Sequence, residues 1–228
     1  EALHGLTQQG ATSFPQAIGL AATFDTSIMH EVSRAIAGEC RSRGIRQVLS
    51  PVVNIAGDVR WGRVEETYGE DPYLTSKMGV AFVEEFEKQG IITTPKHLVA
   101  NVGDGGRDSY PIHFDERLLR EIYLPPFEAC IRSGRSRSIM TSYNSLDGTP
   151  CSASEWLNNR WIKGELGFNG IIISDAGGVG GANVLHFTAK DYAEATGNAL
   201  NGGLDVIFQT SIDHFSLFFP AFRDGSIS

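Results

Sequence analysis

Gly170-Ile171-Ile172-Ile173-Ser174-Asp175-Ala176-Gly177-Gly178 is the stretch on which the reading of this sequence turns. An apolar run this short, closed by a carboxylate and then by glycines, predicts a strand buried on both faces. Such strands belong to parallel sheets, whose ligands gather at the carboxyl ends of the strands. Asp175 is then expected at a strand tip, facing a site, with small residues beside it leaving room for a ligand. The same Asp-Ala-Gly-Gly segment also suits a plain helix cap or turn. Only the surrounding chain can separate the two.

Working outward, strand-like and helical patterns alternate. Helices are predicted over 26–43, where Ile28, Val32, Ile36 and Cys40 recur every four residues, and over 72–89, with Leu74, Met78, Phe82 and Phe86 on one stripe. Further helices are expected over 115–133, disturbed by Pro125-Pro126, over 154–166 and over 189–200, with a last one near 212–222. Strands are expected over 47–55, 91–94, 138–143, 170–174 and 204–208, with a turn at Asp147-Gly148. Residues 1–5 (EALHG) read as the end of another strand. The chain opens on Glu1 without a methionine, so an upstream segment is expected.

Strand then helix, at least five times over with no linker, predicts one α/β domain with a parallel sheet. A doubly wound nucleotide-binding sheet calls for GxGxxG after its first strand or for a P-loop, and neither is present. The glycines after Asp175 do follow a strand, but that carboxylate repels a phosphate. A (β/α)8 TIM-like barrel is the better solution, incomplete at its N-terminus and trimmed at its C-terminus, with residues 1–228 as one domain.

The 19 Lys and Arg against 27 Asp and Glu give a net charge of −8, and no basic stripe appears, which argues against nucleic acid and anionic membranes. No apolar run is long enough to span a bilayer. Cys40, Cys130 and Cys151 lack metal-ligand spacing, so no metal is expected. Cys130 and Cys151 could pair in an oxidising compartment, although isolated buried thiols are the simpler expectation.

The residues at or just after successive strand tips are Glu1, Arg63, Lys96, His97, Arg107, Tyr143 and Asp175. In a parallel barrel these tips converge on one mouth. A mouth so dense in donors and acceptors suits a small polyhydroxylated ligand, whose hydroxyls both donate and accept. Any single member has an ordinary alternative: a salt-bridged Lys96 or Arg63, a core His97, a packed Tyr143.

Several segments carry a family resemblance: EALHG (1–5), SPVVNIAGDVRWGRVEETYGEDP (50–72), KHLVAN (96–101), ERLLREIYLPPFEA (116–129), IMTSYNSLDGTPCS (139–152) and ELGFNGIIISDAGGV (165–179). In this order they resemble the barrel domain of family 3 glycoside hydrolases, the β-glucosidase and β-xylosidase group. The resemblance implies a retaining exo-acting β-glycosidase with Asp175 as nucleophile. It implies that Glu1 holds the terminal sugar, that Arg63, Lys96, His97 and Arg107 are cationic hydroxyl clamps, and that Met140 and Tyr143 line the nucleophile's side of the pocket. It further implies a small oligosaccharide or aryl glycoside substrate, no cofactor, a secreted or periplasmic setting, and an acid/base glutamate in a C-terminal α/β domain that this chain does not contain. Lys96 and Arg107 are expected to hold the Asp175 carboxyl down.

Two departures bear on substrate. Hexosaminidase-like members carry KHFPGHG and an Asp-Ser-His dyad; here the residues are Lys96-His97-Leu98-Val99-Ala100-Asn101 and Asp108-Ser109-Tyr110. Many glucosidases have Trp after the nucleophile, and Ala176 is closer to the xylosidase pattern. A non-catalytic sugar-binding barrel and a Schiff-base lyase built on Lys96 are the readings from other classes.

Overall fold

The computed structural model describes residues 1–227. The helices are α1 (Ala17–Ala21), α2 (Thr26–Ser42), α3 (Pro72–Lys88), α4 (Glu116–Leu118), α5 (Pro125–Arg132), α6 (Gly181–Val184) and α7 (Tyr192–Asn201). The regular strands are β1 (Ser138–Met140), β2 (Ser145–Leu146), β3 (Thr149–Pro150) and β4 (Ile171–Ile173). Asp25 and Asp71 cap α2 and α3 by accepting from the Ser27 and Leu74 amides, and Pro72 at the first turn of α3 needs no donor there.

β1 and β4 pair in parallel, Ile139 opposite Ile172 and Met140 opposite Ile173. Isolated parallel pairs extend the sheet on both sides: Gln47 with Ile92, Val52 with Lys96, Leu98 with Thr141, Ile173 with Val206. The five segments therefore neighbour one another in sequence order, all in one direction. A doubly wound sheet reverses that order at its switch point, so unbroken succession is the signature of a barrel wall. The fold is α/β, an arc of a TIM-like barrel. Helices cover its outside, α2 on α3 and α3 on α5.

Burial follows the two faces of the strands. Val53, Ile139 and Ile172 join the core beneath the helices, whereas the buried Val52, Met140 and Ile173, alternating with them along the strands, stand outside that cluster on the opposite face.

Five expectations need correction. On α2 the buried stripe is Met29, Ser33, Ile36, Ala37 and Cys40; Ile36 and Cys40 are buried as expected, but Ile28 is exposed and Val32 only half-buried, because a four-residue spacing drifts around a helix of 3.6 residues per turn. Residues 1–5 form no strand but an irregular lead into bends at 3–5, tied to the sheet by the Ala2 amide on Ser50 Oγ. The helix over 115–133 is split: α4 gives way to a wide π turn at Leu119–Tyr123, and α5 restarts at Pro125, whose ring cannot continue the ladder. Trp156–Glu165 is likewise wide-turned, and 212–222 holds two short 3₁₀ helices, Ile212–Leu217 and Phe219–Phe222. The Asp147-Gly148 turn lies where expected, and it closes an antiparallel hairpin of β2 and β3. Both turn residues have positive φ, as an I′ turn requires. The three cysteines are buried and unpaired with one another.

Candidate active site

Asp175 stands two residues beyond β4. Ser174 anchors the tip, donating its amide to Val206 O at 2.9 Å and accepting the Phe208 amide on its hydroxyl at 2.9 Å. The chain then turns sharply: the Gly178 amide bonds Asp175 O, and Gly177 adopts a φ of 74° that favours glycine. The turn leaves the Asp175 carboxylate at the barrel mouth, 8% exposed, with Oδ1 accepting the Ala176 amide at 2.7 Å.

Its neighbours come from the other tips. His97 Nε2 lies 3.4 Å from Asp175 Oδ2. Arg63 Nη1 donates to His97 Nε2 at 3.1 Å, while its Nε and Nη2 grip Glu66 at 2.7 Å each and Asp108 Oδ2 lies 3.8 Å away. Lys96 Nζ meets Glu1 Oε1 at 2.5 Å. The Tyr143 hydroxyl donates to Ala176 O at 3.1 Å and sits against the Asp175 carboxylate. Met140, paired with Ile173, is buried on β1. A cavity of about 450 Å³ opens from the Arg63 side, lined by Arg60, Trp61, Arg63, Gly106, Arg107 and Asp108.

Burial raises the Asp175 pKa above the usual carboxylate value; the Ala176 amide, Lys96, Tyr143 and Arg63 oppose the rise without cancelling it. Two expectations are thereby overturned. The carboxyl is not held down, and the cations acting on it are Lys96 and Arg63, not Arg107. Arg107 is exposed at the cavity rim, with no side-chain partner among the described residues. His97 is not a cation either: burial, then Arg63 and Lys96, hold its pKa well below 6.5, so it is neutral. Burial and the adjacent Asp175 push the Tyr143 phenol up, so it remains a donor at neutral pH.

The structure adds residues that the tips did not reveal. Asn54 is buried against His97, Glu66 holds Arg63, and Asp108 accepts a hydrogen bond from Trp61 Nε1. Asn54 was detectable in principle, because it lies two residues beyond Val52, the partner of Lys96, on a strand of period two. Glu165 pairs with Arg120, away from this mouth.

The arrangement brings a carboxylate, an ammonium, a guanidinium, a neutral imidazole and a phenol to one end of a parallel barrel. The description of a known family, "Glycosyl hydrolase family 3 N terminal domain", matches residues 1–216. The chain belongs to glycosyl hydrolase family 3. It is 38% identical over 226 residues to a β-xylosidase of Formosa agariphila, covering 90% of this chain and 31% of that protein. It is 37% identical over 193 residues to a β-glucosidase of Rhizobium radiobacter, covering 85% and 22% respectively. Among solved structures, a β-glucosidase from Erythrobacter marinus superposes with a TM-score of 0.94 at 36% identity, over all of this chain and 31% of that one. This family 3 chain thus spans about a third or less of the length of these relatives. Among the described residues no helix is long and apolar enough to cross a membrane.

Proposed function

We propose that this chain is the nucleophile-bearing barrel domain of a retaining β-glycosidase that removes terminal, non-reducing β-D-glucosyl residues from small oligosaccharides or aryl glycosides. The observation that carries the reading is the placement of Asp175: a mostly buried carboxylate at a strand tip, beside Arg63, Lys96, His97 and Tyr143. As the anion, Asp175 attacks the anomeric carbon while the leaving oxygen takes a proton from a second carboxyl about 5–5.5 Å away. Water then cleaves the glycosyl ester, with the second carboxyl acting as base. That group comes from a C-terminal domain outside this chain. Glu1, Lys96, Arg63 and His97 bind the sugar hydroxyls, Arg107 reaches in from the rim, and Met140 and Tyr143 wall the nucleophile's side. Contacts that tighten as the ring flattens toward the oxocarbenium-like transition state lower the barrier.

Xyloside hydrolysis is the second reading, favoured by Ala176, whose methyl puts no bulky wall beside Asp175. A Schiff-base role fits poorly, because Lys96 is ion-paired with Glu1. The test is to incubate the full-length protein with 2-deoxy-2-fluoro glucoside and xyloside reagents and map the adduct by peptide mass spectrometry. Esterified Asp175 is expected. An active enzyme labelled on another residue overturns the assignment, and relative rates on nitrophenyl glucosides and xylosides separate the two substrates.

A further inference from the structure

Asn54 and His97 are joined by three contacts. Asn54 Nδ2 donates to His97 O at 2.8 Å, the His97 amide donates to Asn54 Oδ1 at 2.8 Å, and His97 Nδ1 lies 3.0 Å from the same oxygen. The two backbone bonds fix the orientation of the side-chain amide, since a backbone N–H can only donate and a carbonyl can only accept. The atom facing Nδ1 is therefore an acceptor, and Nδ1 must carry the proton. At the other side of the ring Arg63 Nη1, which can only donate, stands 3.1 Å from Nε2. Nε2 must therefore present its lone pair.

We propose that Asn54 is a positioning residue that fixes His97 as the neutral Nδ1–H tautomer, making Nε2 an acceptor at the mouth and keeping a proton off the line between His97 and Asp175. The consequence for the site is specific. At 3.4 Å from Asp175 Oδ2, a proton on Nε2 would pair imidazolium with the attacking carboxylate. Without it, Nε2 and Asp175 both look to Arg63 and to hydroxyl donors of the ligand. The charged groups around His97 are Arg63 (backed by Glu66 and Asp108), Lys96 (paired with Glu1) and Asp175, with Tyr143 beyond. The cations disfavour an imidazolium, in line with the depressed His97 pKa. Asn54 accepts from the ring without adding a charge to oppose them.

Two measurements test this, the second of which rests on the glycosidase reading. Neutron diffraction on deuterated crystals of the full-length protein should show deuterium on His97 Nδ1 and none on Nε2; density on Nε2 overturns the proposal. In the active enzyme, Asn54→Asp puts a charge where the neutral acceptor was and stabilises imidazolium, so the acidic limb of kcat/KM should move up by about one pH unit or more. Asn54→Leu, which adds no charge, should lower kcat/KM without moving that limb. A uniform loss at every pH in both variants means that Asn54 only fills space, and overturns the proposal. If the wild-type full-length protein hydrolyses no glycoside, the functional reading fails alone and the neutron result still decides the tautomer.

Discussion

Lys96 and Glu1, 95 positions apart in sequence, meet at 2.5 Å at the rim of the barrel. The lysine is 3% exposed while the glutamate keeps 42% of its side chain in solvent. A buried ammonium with one half-solvated partner has donors left for a ligand, and it also restrains the Asp175 pKa. Lys96→Met should cut kcat/KM of the full-length enzyme by roughly 10- to 150-fold, the equivalent of about 1.5–3 kcal/mol for one charged hydrogen bond. Steady-state kinetics on an aryl glycoside check this; an unchanged value would remove Lys96 from the sugar site.

Asp175→Asn should abolish labelling by the fluoro reagent and leave the thermal midpoint no lower than that of the wild type. The native pKa is raised, so the folded state holds the proton more tightly than the unfolded chain, and stability falls as pH rises from 3.8 through the native pKa. The variant lacks that penalty. Its advantage should be largest at neutral pH and vanish below 3.8, which melting curves across pH will show.

Glu85 behaves oppositely. It is buried on α3 and bonded by His30 at 3.0 Å, Arg34 at 2.9 Å and Lys88 at 3.1 Å. Burial alone would raise its pKa, but the bonds from Arg34, Lys88 and His30 carry it down to about 2. The stabilisation is therefore complete above 4.5 and is lost as pH falls toward 2. Glu85→Gln should destabilise the α2–α3 packing by roughly 1–3 kcal/mol at neutral pH, and the gap to wild type should close in acid. Denaturant melts at neutral and acid pH measure both.

Cys40, Cys130 and Cys151 are each fully buried, and burial pushes all three thiols up. Thiolates are the reactive form, so the three should resist iodoacetamide in the native protein and react once it is unfolded. Peptide mapping with and without denaturant tests this, and rapid native alkylation of Cys130 would contradict its packing against Gly79.

Some of this was legible without coordinates. The helices over 26–42 and 72–88 and the strand ending before Asp175 are local facts. Each is set by the spacing of apolar residues and by the turn residues that close it. Other features resisted. The packed stripe of α2 starts at Met29 because it follows the 3.6-residue helical period, from which a stripe of Ile28, Val32, Ile36 and Cys40 drifts away at its N-terminal end. The loop at 103–108 brings Asp108 to Trp61 and leaves Arg107 at the rim, a difference of one residue that no motif encodes.

The sequence alone determined the parallel succession of strands and the residue types at their tips, because hydrophobic period and turn chemistry are properties of short segments. Tertiary structure alone decided the charge states at the mouth. His97 is neutral and Asp175 is raised because burial removes the water that would stabilise their ions, and because groups distant in sequence supply the field. Desolvation is a property of the assembled barrel, so no stretch of the chain carries it by itself.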